Sequence, residues 1–189
     1  MIEHRLKEIF DPHFNAPIEA WKYFASLGEI VDYKKNDIIK ECNHIERFGY
    51  FLIDGSCGLF VWKENHFVCL DLFLENNFFA DDISLSTGEP SPVEIIALEK
   101  STVFRISKSN IEQLKKTPMG NMLFLIGSEN DFKEKQKQHM EFLTKTAEER
   151  YLDLLKNRPE LLQRIPQKHI ASYLGITTQS LSRIRKKIK

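Results

Sequence analysis

Hydrophobic and polar positions change their period along this chain. Residues 2–27 carry apolar side chains at helical spacing, interrupted at Pro12 and Pro17, which predicts a helical lid. Residues 29–107 show short runs rich in β-branched and aromatic residues: EIVDY, DIIKE, GYFLIDG, CGLFVWK, HFVCLDLF, VEIIAL and TVFRI. Hairpin turns are predicted at Asp54-Gly55 and Glu64-Asn65. Short strands without long helices between them predict an antiparallel barrel or jelly roll.

Helical spacing returns after residue 108. Ser109 or Asn110 is predicted to cap a helix, and the stretch after Pro118 predicts a second helix of about 25 residues. A heptad-like stripe along that helix is apolar first and polar later: Met122, Leu125, Glu129, Phe132, Gln136 and His139. The stripe either packs against the barrel or pairs with a second copy of the chain, and we favour self-pairing.

A further helix is predicted from Thr146 to Leu155, ending at Asn157-Arg158-Pro159. Its inward positions are Ala147, Tyr151, Leu154 and Leu155. Pro166 suits the first turn of the helix that follows.

The segment Gln167–Lys187, QKHIASYLGITTQSLSRIRKK, has the pattern of a helix-turn-helix. Its first helix carries Ile170 and Leu174 inward with the small Ala171, and Gly175 can take positive φ at the turn. Ile176 is the apolar residue that packs into the turn, and Thr177 or Thr178 can cap the second helix. Leu181 and Ile184 form that helix's buried seam.

The outward positions of the second helix bear hydrogen-bonding side chains that can reach DNA. Thr178, Gln179 and Arg183 are predicted to face bases, with Gln179 suited to adenine and Arg183 to guanine. The residues expected to hold phosphates, or to line the same face, are Gln167, Lys168, Ser180, Ser182, Lys186 and Lys187. The alternative is an ordinary antiparallel helix pair with a basic surface.

Charge divides the chain, although its net charge is zero. Residues 144–189 carry 11 basic and 4 acidic side chains, whereas residues 1–143 carry 16 and 23. Phosphate attraction is therefore expected at the C-terminal end only.

The cysteines Cys42, Cys57 and Cys69 lack C-x-x-C spacing and predict reduced, mostly packed thiols, with no metal site expected. The histidines are scattered singles. No long apolar run or signal peptide appears, so we expect no membrane contact and a cytoplasmic location. No nucleophile–base pair or Gly-rich phosphate loop is visible, so an enzyme is not expected.

The order of barrel, long helix and helix-turn-helix resembles the CRP/FNR family of bacterial transcription regulators. IASYLGITTQSLSRIRK and GYFLIDGSCG carry the resemblance most specifically. It implies an α+β fold with three parts: a cyclic-nucleotide-binding-type jelly roll at 1–116, a long dimerisation helix at 117–143 and a helix-turn-helix domain at 144–189. It also implies a homodimer that binds a pseudo-palindromic operator in double-stranded DNA and contacts RNA polymerase.

The segment FADDISLSTGEPSPVEI lies where cyclic-nucleotide-binding members of that family keep their phosphate-binding cassette. Asp81 stands where those members have a ribose-binding Glu, Ser91 stands near their phosphate-binding Arg, and no Arg or Lys occurs between Lys63 and Lys100. Without a cation a buried phosphate loses about 1.5 to 3 kcal/mol, so cyclic AMP is disfavoured.

Two interpretations of the cassette remain open: an unidentified effector, or a purely structural element whose acidic pair caps the short helix. The effector-binding candidates are Phe79, Ala80, Asp81, Asp82, Ser84 and Ser91. Because little chain follows the recognition helix, no C-terminal wing is expected. The competing function is a ligand-sensing or protein-interaction module whose helix-turn-helix no longer reads a DNA sequence.

Overall fold

The computed structural model describes residues 2–12, 14–63 and 66–188. Two short helices, α1 (Ile2–Phe10) and α2 (Ile18–Ser26), open the chain. Trp21 and Phe24 of α2 are buried and pack with Phe51 and Phe104 of the barrel. The predicted helical lid is confirmed.

Two four-stranded antiparallel sheets form the barrel. The first has the order β1 (Gly28–Tyr33), β8 (Ser101–Ser107), β3 (Phe48–Asp54) and β6 (Phe78–Phe79). The second has the order β2 (Ile38–Lys40), β7 (Val93–Ala97), β4 (Cys57–Lys63) and β5 (His66–Phe73). This arrangement confirms the predicted jelly roll.

The predicted hairpin turns have different outcomes. Gly55 has a φ of 97° between β3 and β4, as the Asp54-Gly55 turn requires. The turn predicted at Glu64-Asn65 lies outside the described residues. Strand β6 was missed because two residues are too few for a periodic signal.

The helix α4 (Lys108–Lys115) follows the barrel. Its cap is Ser107, whose hydroxyl accepts a hydrogen bond from the Asn110 amide, so the predicted cap at Ser109 or Asn110 is wrong. Strand β8 runs to Ser107 without a loop, and the last strand residue therefore takes the capping role itself.

The long helix α5 spans Pro118–Thr144, 27 residues, and Thr117 caps it. Only Gly120 and Leu123 are buried along its length. Met122, Leu125 and Phe132 of the predicted stripe are 42%, 61% and 63% exposed. The stripe therefore does not pack against the barrel.

Four helices complete the chain: α6 (Ala147–Asn157), α7 (Pro159–Arg164), α8 (Gln167–Tyr173) and α9 (Thr178–Ile188). Thr146 and Glu149 form a capping box at α6. Tyr151 and Leu154 are buried as predicted, but Leu155 is 41% exposed and its predicted inward position is wrong. Leu154 and Leu155 are adjacent, and hydrophobic periodicity alone does not decide which of two adjacent leucines faces inward. The helix places Leu154 inward and Leu155 toward solvent. Pro166 is the N-cap of α8.

The C-terminal helices share a hydrophobic core with the second sheet. Phe60 and Leu72 of the barrel belong to the same buried cluster as Leu154, Ile170 and Leu181. The helix-turn-helix is therefore held in one orientation by apolar packing as well as by the chain.

Candidate functional site

The turn between α8 and α9 has the geometry predicted for a helix-turn-helix. Gly175 has a φ of 68°, and its amide donates to the Ser172 carbonyl at 2.9 Å. Thr177 caps α9 by accepting from the Ser180 amide at 3.2 Å. Ile170 and Ala171 on α8 are buried, as are Leu174 at its C-cap and Leu181 on α9.

One face of α9 is solvent-exposed and rich in hydrogen-bonding groups. At 100° per residue these positions span an arc of about 140°, and they are Thr178, Gln179, Ser182, Arg183 and Lys186. We call this set the recognition face. From Lys168 to Lys189 the sequence has six basic and no acidic residues. Such a face can donate to phosphates and to base edges.

The remaining predicted DNA contacts differ in their exposure and in their partners within the protein. Gln167 and Lys168, in the first turn of α8, are exposed. Ser180 is half-buried, and its hydroxyl lies 3.1 Å from the Thr177 hydroxyl. Lys187 is exposed and pairs with Glu148 at 2.8 Å.

Helix α8 is fastened to the hairpin of β4 and β5. The Ser172 hydroxyl accepts from the Cys69 amide at 2.8 Å and donates to the Phe67 carbonyl at 3.3 Å. The His169 ring packs against Phe60, with 4.9 Å between ring centroids. Burial there lowers the pKa of His169 to about 4.

Arg164 ties α7 to three loops of the barrel. Its guanidinium donates to both carboxylate oxygens of Glu75, at 2.6 and 2.8 Å, to Glu99 at 2.7 Å and to the Gly55 carbonyl at 3.0 Å. The hydrogen bonds from Arg164 lower the pKa of Glu75 to about 2. We call this group the Arg164 clamp. The sequence did not suggest it, because its members are separated by up to 109 positions.

Arg150 connects the end of the long helix with the helix-turn-helix. It donates to the Phe142 carbonyl at 3.3 Å and to the Leu174 carbonyl at 2.8 Å. Its guanidinium carbon lies 4.6 Å from the centre of the Phe142 ring. A Cβ added at Gly175 would lie only 2.9 Å from the same ring.

A cleft of about 460 Å³ lies between β5, the second half of α5, α6 and α8. Its lining carries both signs of charge, including Lys135, Arg158 and Asp153. Arg158 donates to the Leu72 carbonyl at 2.9 Å, and Lys135 pairs with Asp71. These cations are therefore engaged with the protein itself.

The predicted effector residues occupy one corner of the barrel, around the short helix α3 (Asp82–Thr87). Phe79 and Ala80 are buried ahead of it. Asp81 is its N-cap and accepts from the Ser84 amide at 3.2 Å, which confirms the capping role for Asp81, whereas Asp82 is the first residue of the helix itself. Asp82 is exposed as a residue, but its carboxylate is partly desolvated and is repelled by Asp131 of α5, and both effects raise its pKa to about 6.

The cassette contains a cation after all. Lys40, on β2, places its ammonium 2.8 Å from Asp81 Oδ2 and donates to the Ser91 hydroxyl at 3.1 Å and to the Val93 carbonyl at 2.7 Å. The Ser91 hydroxyl in turn donates to Asp81. Lys40, Asp81 and Ser91 are all buried, and we call them the Lys40 cluster.

The expectation of a cassette without a cation is therefore wrong. The stretch between Lys63 and Lys100 contains no Arg or Lys, but Lys40 lies on a strand 41 residues before Asp81 in the sequence. Its only sequence signal is a charged residue in the otherwise apolar IIK strand.

Glu46 supports the cassette from the β2–β3 loop and was also missed. Its carboxylate accepts from the Arg47 and Phe48 amides and from the Tyr50 hydroxyl at 3.0 Å. Its own amide donates to Ser84 at 2.9 Å. Burial raises the pKa of Glu46.

The described ranges hold no cluster of three or more His, Cys, Asp or Glu side chains suited to a metal ion. Cys57 and Cys69 are buried free thiols, as predicted, and Cys42 is half-buried. Among these same residues, no helix combines the length and apolar character that crossing a membrane requires.

Comparison with known proteins agrees with this architecture. Residues 30–117 match the family described as the cyclic nucleotide-binding domain. No curated protein sequence matches the chain significantly.

Solved structures resemble the chain over most of its length. The c-di-GMP responsive global regulator CLP of Xanthomonas campestris has a TM-score of 0.70 at 16% identity, covering 91% of each chain. FixK2 from Bradyrhizobium japonicum has a TM-score of 0.71 at 17% identity, covering 85% of this chain and 84% of its own. A CooA mutant from Carboxydothermus hydrogenoformans has a TM-score of 0.68 at 14% identity, covering 95% and 82%. The chain therefore has a CRP/FNR-like fold, and its residues 30–117 are similar to the cyclic nucleotide-binding domain.

Proposed function

We propose that this protein is a transcription regulator that binds a pseudo-palindromic DNA operator as a homodimer. The observation that carries the proposal is the recognition face, an exposed row of hydrogen-bonding and basic side chains on the second helix of a well-formed helix-turn-helix. In this motif the second helix enters the major groove. Contact with RNA polymerase, which the family resemblance implies, is part of the same proposal.

The two base-reading candidates have side chains suited to the task. Arg183 offers a planar fork that matches the O6 and N7 acceptors of guanine, and Gln179 can both donate to and accept from adenine. Both are exposed. Lys186 on the recognition face and Lys168 in the first turn of α8 are both exposed and are assigned to phosphates.

The dimer is proposed to form along α5. Met122, Leu125 and Phe132 expose apolar surface at heptad spacing on a helix that is mostly unburied. Leu143, at 70% exposure, continues the same stripe toward the helix-turn-helix. A two-fold pair of recognition faces would read two half-sites about one helical turn apart.

Selection from random duplex DNA with the purified protein tests the proposal. Enrichment of an inverted repeat with half-sites about 10 base pairs apart is expected. Affinity for the selected site should then fall steeply as the salt concentration rises, because each phosphate contact releases counterions from the DNA. The slope of log affinity against log salt gives the number of these contacts.

Arg183 provides the sharper test. Arg183→Ala should weaken binding to the selected site by about 1 to 3 kcal/mol and relax the preference at one base pair. Arg183→Lys keeps the charge but loses the bidentate geometry, so it should retain non-specific affinity and lose the preference. If no sequence is enriched and duplex binding is weak, the competing function holds, a sensing or interaction module without operator recognition.

A further inference from the structure

The Lys40 cluster joins the two sides of the cassette. Asp81 begins the short helix on one side, Ser91 begins the return toward β7 on the other, and Lys40 reaches both from β2. The lysine, aspartate and serine are 5%, 2% and 6% exposed. Charged groups are seldom buried to this extent unless they are paired.

Each member of the cluster forms its hydrogen bonds with the other members or with the backbone. The three N–H groups of Lys40 are matched by Asp81, the Ser91 hydroxyl and the Val93 carbonyl. Asp81 accepts through one oxygen from Lys40 and Ser91, and through the other from the Ser84 amide. The Ser91 hydroxyl also accepts from the Val93 amide at 3.1 Å.

A cyclic phosphate that took Lys40 as its counter-ion would break this set. It would have to take Lys40 from Asp81, which would leave a buried carboxylate next to a second negative charge. A buried charge that loses its partner is strongly destabilising, and a charge-assisted bond between the phosphate and Lys40 would not give Asp81 a new partner.

We infer that the cassette is self-ligated: Lys40, Asp81 and Ser91 hold its two sides together, and the site takes no cyclic nucleotide. This inference rests on the proposed function, because it states how that regulator is controlled. The barrel then reaches its folded form without a small molecule at this site, and the protein binds its operator without added cyclic nucleotide.

Thermal unfolding of the full chain tests this directly. Cyclic AMP and cyclic GMP, each added at millimolar concentration, should leave Tm unchanged, since only a ligand that binds the folded state raises it. Lys40→Met should lower Tm by roughly 5 to 15 °C, because it leaves Asp81 buried without a partner. Lys35→Met, which removes an exposed lysine from the preceding turn, is the control and should change Tm little.

Asp81→Asn completes a double-mutant cycle. Asparagine retains the helix cap but carries no charge, so Lys40→Met with Asp81→Asn should lose less than the sum of the two single losses. If Lys40→Met fails to fold, Ser91→Ala serves instead: it should cause a smaller drop in Tm and confer no response to either nucleotide.

A saturable rise of Tm with either nucleotide in the natural protein would overturn the inference, as would strictly additive losses in the cycle. Neither result involves DNA. A nucleotide response together with an enriched operator overturns self-ligation alone, whereas an intact cluster without any enriched operator overturns the proposed function alone.

Discussion

Gly175 is the residue on which the helix-turn-helix geometry depends most closely. Its φ of 68° is unfavourable for any residue with a Cβ, and such an atom would lie 2.9 Å from the Phe142 ring. Gly175→Ala should therefore lower the free energy of unfolding by about 1 to 3 kcal/mol, measured by urea denaturation.

Gly127→Ala is the matched control for that substitution. Gly127 lies inside α5, and a Cβ there would meet nothing within 4 Å. The same change should stabilise the chain by about 0.5 to 1 kcal/mol. Equal losses at both glycines would contradict the role given to the turn.

His169 makes the contact between α8 and the barrel sensitive to acid. Its pKa is about 4 in the folded protein, compared with about 6.5 in an unfolded chain. The unfolded chain therefore binds the proton first, so this contribution to stability is present above pH of about 6.5 and is lost as the pH falls toward 4.

His169→Phe should remove that part of the pH dependence. The fall in Tm between pH 7 and pH 5 should be smaller by a few degrees in the variant than in the natural protein. Asp82, whose pKa is raised to about 6, contributes with the opposite sign because its charge becomes unfavourable as the pH rises. It is present in both proteins, so it cancels in the comparison; identical pH profiles would contradict the prediction.

At the scale of elements, the Arg164 clamp decides how firmly the C-terminal helices are attached to the barrel. Arg164→Ala should destabilise the contact by about 1 to 2 kcal/mol, a value discounted for the partial exposure of these groups. Exchange of the Cys69 amide hydrogen, which is bonded to Ser172 across the contact, should accelerate accordingly.

Two further variants make that experiment specific. Arg164→Lys keeps the charge without the fork that holds Glu75 by both oxygens, so it should give an intermediate acceleration. Lys133→Ala removes an exposed pair with Glu129 on α5 and should leave the Cys69 amide unaffected. Unchanged exchange in Arg164→Ala would mean that apolar packing alone holds the helices.

At the scale of the whole molecule, the exposed stripe of α5 predicts self-association. Phe132→Lys places a charge in the proposed apolar seam and should convert the dimer to a monomer in sedimentation equilibrium. Operator affinity should fall with it, because the two half-sites would no longer be bound as one unit.

Asn130→Lys adds the same charge on the opposite side of the same helix, about 160° from Phe132, at an exposed position. It should leave the dimer intact. A Phe132→Lys protein that sediments like the natural one would place the interface elsewhere.

Most elements of this fold could be predicted from the sequence because their signals are local. Alternating apolar residues indicated the strands, and Thr146, Gly175 and Thr177 marked helix ends through hydrogen bonds or a φ value that involve only near neighbours. The recognition face followed from the period of α9 alone. Local signals failed where the competing positions lay within two residues, as with Ser107 and Ser109.

Tertiary structure alone decided the interior of the cassette and the seating of the helix-turn-helix. Lys40 meets Asp81, and Arg164 meets Glu75, only because the barrel folds distant strands and loops onto one another. Hydrophobic periodicity records which side of an element faces inward, but not which element it will face. In the sequence, a buried ion pair between distant residues is visible only as one charged residue in an apolar run. The fold determines which residue becomes its partner.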